Sequence, residues 1–200
     1  MTDEPTREKQ PEGLRSVFKD ASGFAGSQYL IRFATLIKGF VVARVLGPEG
    51  SGLWQHFVII SEYGLLSHLG VLAGLSKVLG HEIGSGRETQ ALASRRTGTG
   101  AMFCSALLVW LGLCAYVAVR WDELAGYDRW GLPTLGLVIL VEQISYTYMA
   151  LLRAYSRIRI ISVISAVFGV ANVVVALTLM TQFRVFGLLL GWLLTRAATT

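Results

Sequence analysis

Two groups of polar residues interrupt stretches that are otherwise apolar, and their side chains are suited to holding ions rather than to making bonds. Gln28, Arg32, Thr35 and Lys38 follow one another at spacings of three and four, the period of a helix face. Such a stripe would give the first span a cationic face able to line an aqueous cavity. Glu142, Tyr146, Met149 and Arg153 repeat that spacing with Ser145 beside them, forming a second polar stripe. Glu62 and His68, with Ser61 aligned to His68, complete the candidates. A charge at bilayer centre costs on the order of 3 kcal/mol on insertion scales, so these groups should face protein or water. Three uses compete for Arg32 and Lys38: lining a cavity, snorkelling to an interface, or pairing with Glu62 across two helices. For Glu142 the choice lies between a cavity and a hydrated helix end.

Nothing beside these stripes makes or breaks bonds. There is no nucleophile elbow, no Gly-rich phosphate cradle followed by Lys-Ser or Lys-Thr, and no Asp-rich metal motif. His56, His68 and His81 share no metal-ligand spacing, and His81-Glu82 lacks the second His of a zinc-protease helix. Cys104 and Cys114 would stand about 15 Å apart on one helix, too far to bond, and read as packing residues. The sequence therefore predicts neither an enzyme nor a bound cofactor or metal.

The elements that must position the stripes are long and apolar. Hydrophobic residues make up 53% of the 200-residue chain and charged residues 16%. With a mean hydropathy of +0.54, this places the chain outside the soluble globular class. Apolar stretches cover residues 22–45, 52–79, 98–119, 132–152, 159–180 and 184–200. At about 1.5 Å per residue, some 20 residues cross a hydrocarbon core of about 30 Å, which predicts an all-α transmembrane bundle of about six spans. Residues 1–21 form a polar N-terminal segment with no cleavable signal, and residues 22–200 form the membrane lobe. The last stretch reaches Thr200 with no closing loop, so the chain is expected to be truncated.

Charge distribution sets the orientation. If each stretch spans once, Arg7, Lys9, Arg15, Lys19, Lys77, Arg87, Arg95, Arg96, Arg153, Arg157 and Arg159 fall on one side. Arg44, Arg120, Arg129 and Arg184 fall on the other, which predicts a cytoplasmic N-terminus. The net charge of +5 thus reflects topology, and no nucleic acid is expected as a partner. Gly47, Pro48, Glu49 and Gly50 predict a tight hairpin turn between the first two spans. Pro133 marks the entrance of the fourth span, while Tyr116, Trp121, Tyr127 and Trp130 supply interfacial anchors. Gly70 and Gly74, and again Gly187 and Gly191, have the spacing that lets helices approach closely. Residues 77–96 read as a Gly-rich loop that forms a short interfacial helix around 87–95 or stays irregular, and the third and fifth spans, lacking central charges, as facing lipid or apolar neighbours.

The hairpin region, VARVLGPEGSGLW over residues 42–54 followed by YGLLSHLGV over 63–71, resembles the polysaccharide flippases of the multidrug/oligosaccharidyl-lipid/polysaccharide exporter superfamily. Arg44, Gly47, Pro48, Glu49, Gly50, Gly52 and Gly70 carry the match. LLRAYSR at 151–157 and Phe186-Gly187 are also similar to that family, whereas Ser51 and His68 depart from its pattern. The resemblance implies one lobe of a two-lobed transporter in a bacterial inner membrane. Its cargo would be an oligosaccharide carried on polyprenyl pyrophosphate, moved from the cytoplasmic to the outer leaflet for surface or exopolysaccharide assembly. Expected partners are that lipid-linked oligosaccharide, membrane lipid, a C-terminal lobe, and a polysaccharide polymerase or other assembly proteins. Glu62 or Glu142 could carry a coupling proton or sodium ion. A drug/cation antiporter of the same superfamily would want an acidic cavity; a non-transporting scaffold or half-protein, and then a membrane glycosyltransferase, are the other readings.

Overall fold

The structure, a computed structural model, describes residues 12–155 and 158–198. Among these the chain is helical, with no strand. Helix α1 covers Glu12–Leu65, a 3-10 turn covers Leu66–His68, and α2 (Val71–Gly84), α3 (Glu88–Val119), α4 (Gly126–Ala154) and α5 (Ile158–Ala197) follow. Arg7, Lys9, Arg157 and Thr200 lie outside the described residues.

Both of the longest helices double back. Gly47 takes φ 69°, ψ −174°, a conformation that a Cβ would disfavour, and Pro48 next to it begins the second limb of α1 with no N–H to satisfy. The Lys38 Nζ lies 5.3 Å from the Trp54 ring centre, although on a straight helix these residues would stand about 24 Å apart. In α5 the backbone breaks at Arg184, with φ 52° and ψ −128°. Asn172 Nδ2 then reaches Thr195 Oγ1 at 2.7 Å, and Gly191 faces the backbone of Ala176. Each helix is a hairpin of two limbs.

Three of the described helices are long and apolar enough to cross a membrane: Glu88–Val119, Gly126–Ala154 and Ile160–Ala197. The expected count of six is not supported by that measure, for three physical reasons. Gln28, Arg32 and Lys38 dilute the first limb of α1. The stretch at 52–79 is no single helix, since it breaks where Leu69 and Gly70 adopt φ 46° and 82°. The stretches at 159–180 and 184–200 are limbs of one element. The loop expected at 77–96 is also corrected: α2 runs to Gly84, a turn follows, and residues 88–96 are the polar first turns of α3. No Pro occurs between Glu88 and Val119, so the helix continues through Gly98 and Gly100 into the apolar stretch.

Helix α4 is the centre of the bundle. Of its apolar window 56% is buried, against 17% for α3 and for α5. Leu135, Val138 and Ile139 have no exposed surface, and Phe57, Trp110 and Ile139 fill the spaces left by the missing side chains of Gly131, Gly136 and Gly64. A second cluster, Leu75, Leu79, Ala91 and Leu151, fixes α2 against α3 and the end of α4.

Gln143, fully buried on α4, joins three elements. Its Nε2 donates to Ser67 Oγ (2.8 Å) and Gly64 O (3.3 Å), and its Oε1 accepts from Ser105 Oγ on α3 (3.1 Å). Gln143→Leu keeps the volume and strands these partners, so it is expected to cost about 2 kcal/mol. Unfolding in mixed micelles should show that loss, with Cys104→Ser, on an exposed face, as the neutral control.

Candidate functional site

A cavity of about 350 Å³ opens between the first limb of α1, the C-terminal half of α4 and both limbs of α5. Gln28, Ile31 and Thr35 form its α1 wall, while Ser145, Tyr146, Met149 and Arg153 form its α4 wall. On α5, Ser165, Phe168 and Asn172 face Trp192, Thr195 and Arg196 across the hairpin. That size suits a headgroup or a part of a larger ligand.

Two polar networks stand at the lining. In the first, Lys38 Nζ donates to Asn172 Oδ1 (3.1 Å), Asn172 Nδ2 donates to Thr195 Oγ1 (2.7 Å), and Thr195 Oγ1 donates to Gly191 O (2.6 Å). Lys38 also sits over Trp54, which meets Trp192 edge to face at 5.8 Å. The cation is thus held by an amide dipole and a ring face, with no carboxylate against it among the described residues. The second network centres on Glu142, whose side chain is 3% exposed. Arg196 Nη2 lies 2.8 Å from Glu142 Oε1, Tyr146 OH donates to the same oxygen at 3.2 Å, and the guanidinium lies 5.8 Å from the centre of the Tyr146 ring. Glu142 Oε2 is buried without a well-formed hydrogen bond. Among the described residues, three cations, Lys38, Arg153 and Arg196, and one carboxylate, Glu142, stand at or just behind the lining.

The sequence candidates divide accordingly. Gln28, Thr35 and Tyr146 line the cavity, and Lys38 and Glu142 touch residues that do. Arg32 is exposed and outside the lining. Glu62 is exposed on the second limb of α1 and makes no ion pair with Arg32 or Lys38, which corrects the cross-hairpin pair. His68 belongs to a turn: its Nδ1 accepts the Gly70 N–H at 3.1 Å, and it does not reach the cavity. The hairpin residues Pro48 and Glu49 are exposed and Gly47 and Gly50 half-buried, away from the site.

Residues missed in the sequence supply half of the chemistry. The fifth apolar stretch, expected to face lipid or apolar neighbours, presents Asn172 to Lys38. Asn172 is the one amide between Ile160 and Met180, and that was the available signal. Arg196 is not among the sequence candidates, although Trp192, Thr195 and Arg196 share a helical face. No protein-family model, curated protein or solved structure matches the chain.

Proposed function

We propose that this cavity is the anion-binding part of a membrane transporter moving a polyprenyl-pyrophosphate-linked oligosaccharide across a bacterial inner membrane. The reading is supported above all by the charge balance at the lining, where three cations face one carboxylate inside a bundle of apolar helices. Pyrophosphate and acidic sugars crossing a low-dielectric slab need positive, hydrated surroundings. In this reading the limbs of the α1 and α5 hairpins count separately toward about six passes, the N-terminus is cytoplasmic, and a second lobe faces the exposed side of α1 that carries Arg32. The cargo is handed on to polymerase or assembly proteins, and no chemistry is done on it. A cation antiporter is the second reading, favoured by the buried Glu142 carboxylate; its pairing with Arg196 leaves that acid without the net negative charge a cation would seek.

Polyprenyl pyrophosphate titrated into the purified protein tests the proposal. Lys38→Ala is expected to weaken binding about tenfold, since a unit charge within about 6 Å of an anion is worth more than 1 kcal/mol in a protein environment. Lys38→Arg should retain part of the affinity and Lys38→Glu should lose more than alanine does. Equal affinity for the parent and Lys38→Glu, or preferential binding of tetraphenylphosphonium, would overturn the anion reading.

A further inference from the structure

A second concavity, of about 510 Å³, lies on the opposite side of α4, between it and α3. Its far end is apolar, lined by Met102, Phe103 and Ile144, and its near end carries Arg95 and Arg96. Both arginines are exposed, and neither joins an ion pair among the described residues. They are the last charges before an apolar run that ends at Arg120, about 36 Å further along α3, close to the span of a hydrocarbon core with its boundaries. The guanidinium groups therefore stand at the level of lipid phosphates, while the groove continues toward the hydrocarbon.

We propose that this groove is a specific site for one anionic phospholipid, its phosphate held by Arg95 and Arg96 and the upper part of one acyl chain lying between α3 and α4 against Phe103 and Ile144. Two features argue for a bound lipid rather than the general solvent annulus. The cations are adjacent and unneutralised, matching the planar donors that guanidinium groups offer to phosphate oxygens. The groove also begins where they stand, so headgroup and chain are recognised together, as in basic pockets between membrane helices. The Gly100 position keeps the trough open: a Cβ built there meets nothing within 4 Å, and the residue lines the groove.

Native mass spectrometry of the delipidated full chain, titrated with phosphatidylglycerol, phosphatidylcholine or inorganic phosphate, tests the site. Phosphatidylglycerol is expected to bind about tenfold more tightly than phosphatidylcholine, and Arg95→Gln with Arg96→Gln should abolish most of that preference. Gly100→Leu, which fills the trough without meeting backbone, should weaken phosphatidylglycerol binding about tenfold while both arginines remain. Lys38→Ala should leave it unchanged, so this site and the cavity across α4 fail independently. Equal binding of the two lipids, undiminished binding by Gly100→Leu, or displacement of the lipid by inorganic phosphate at similar concentration would each overturn the proposal.

Discussion

Glu142→Ala is expected to destabilise the protein by about 3 kcal/mol, measured as the shift in unfolding free energy in mixed micelles. The carboxylate is buried and accepts from both Arg196 and Tyr146, so its loss leaves a guanidinium and a phenol in a site built for an anion. Losing one partner of a buried pair costs about 3–5 kcal/mol. The lower end applies because the Arg196 side chain is 34% exposed toward the cavity and recovers some hydration there. Glu142→Gln should fall between the parent and alanine, since an amide oxygen still accepts from Tyr146. Removing the charge on both sides, with Glu142→Leu and Arg196→Met, should return most of the stability, and the coupling between the two changes measures the pair itself. A loss below about 1 kcal/mol for Glu142→Ala would mean that the pair is solvated and does not organise the cavity.

Of comparable size is the expected effect of a single methyl group inside the α5 hairpin. A Cβ at Gly187 would run into the backbone of Leu179 and Met180, and one at Gly191 would meet Ala176 Cα at 2.5 Å. Backbone cannot rotate aside as a side chain can, so the limbs must separate. Gly187→Ala and Gly191→Ala should each cost about 3 kcal/mol, the upper range of overpacking, partly offset by up to about 1 kcal/mol of improved helix propensity. Gly112→Ala is the internal control: its Cβ would meet nothing within 4 Å, so only the propensity gain remains. Unfolding should thus move in opposite directions for Gly112→Ala and the two hairpin variants. Unchanged stability in the latter would refute the close approach.

The glycine pairs show what was legible in the sequence and what was not. Gly187 and Gly191 stand at the same spacing as Gly70 and Gly74, yet only the first pair faces another helix limb; a Cβ at either of the others meets nothing. Spacing specifies a face, whereas the neighbour depends on how the chain folds back. The Gly47-Pro48 reversal is readable because it is local, encoded by one residue able to take φ 69° and one that cannot donate. The α5 reversal is readable only as a polar break between the stretches 159–180 and 184–200, and the residue that makes it, Arg184, is of a type with no preference for φ 52°. For the site, the stripe Tyr146, Met149 and Arg153 faces the cavity along its length, since a helix on its own fixes that register. Its partners Asn172 and Arg196 come from the far sides of two turns and have only tertiary proximity to mark them.

The relay from Lys38 through Asn172 and Thr195 to the Gly191 carbonyl has a mechanical consequence. It crosses from one hairpin to the other at the Lys38–Asn172 bond, so pulling the hairpins apart would break that bond and lift the Lys38 cation off the amide that holds it. The Glu142–Arg196 pair ties α4 to the same assembly. The walls of the cavity are thus braced at two levels, which favours a fixed cup over a closing jaw. If the cavity serves the proposed transporter, a change in the side of the membrane to which it opens would come from rocking of the braced unit against a second lobe.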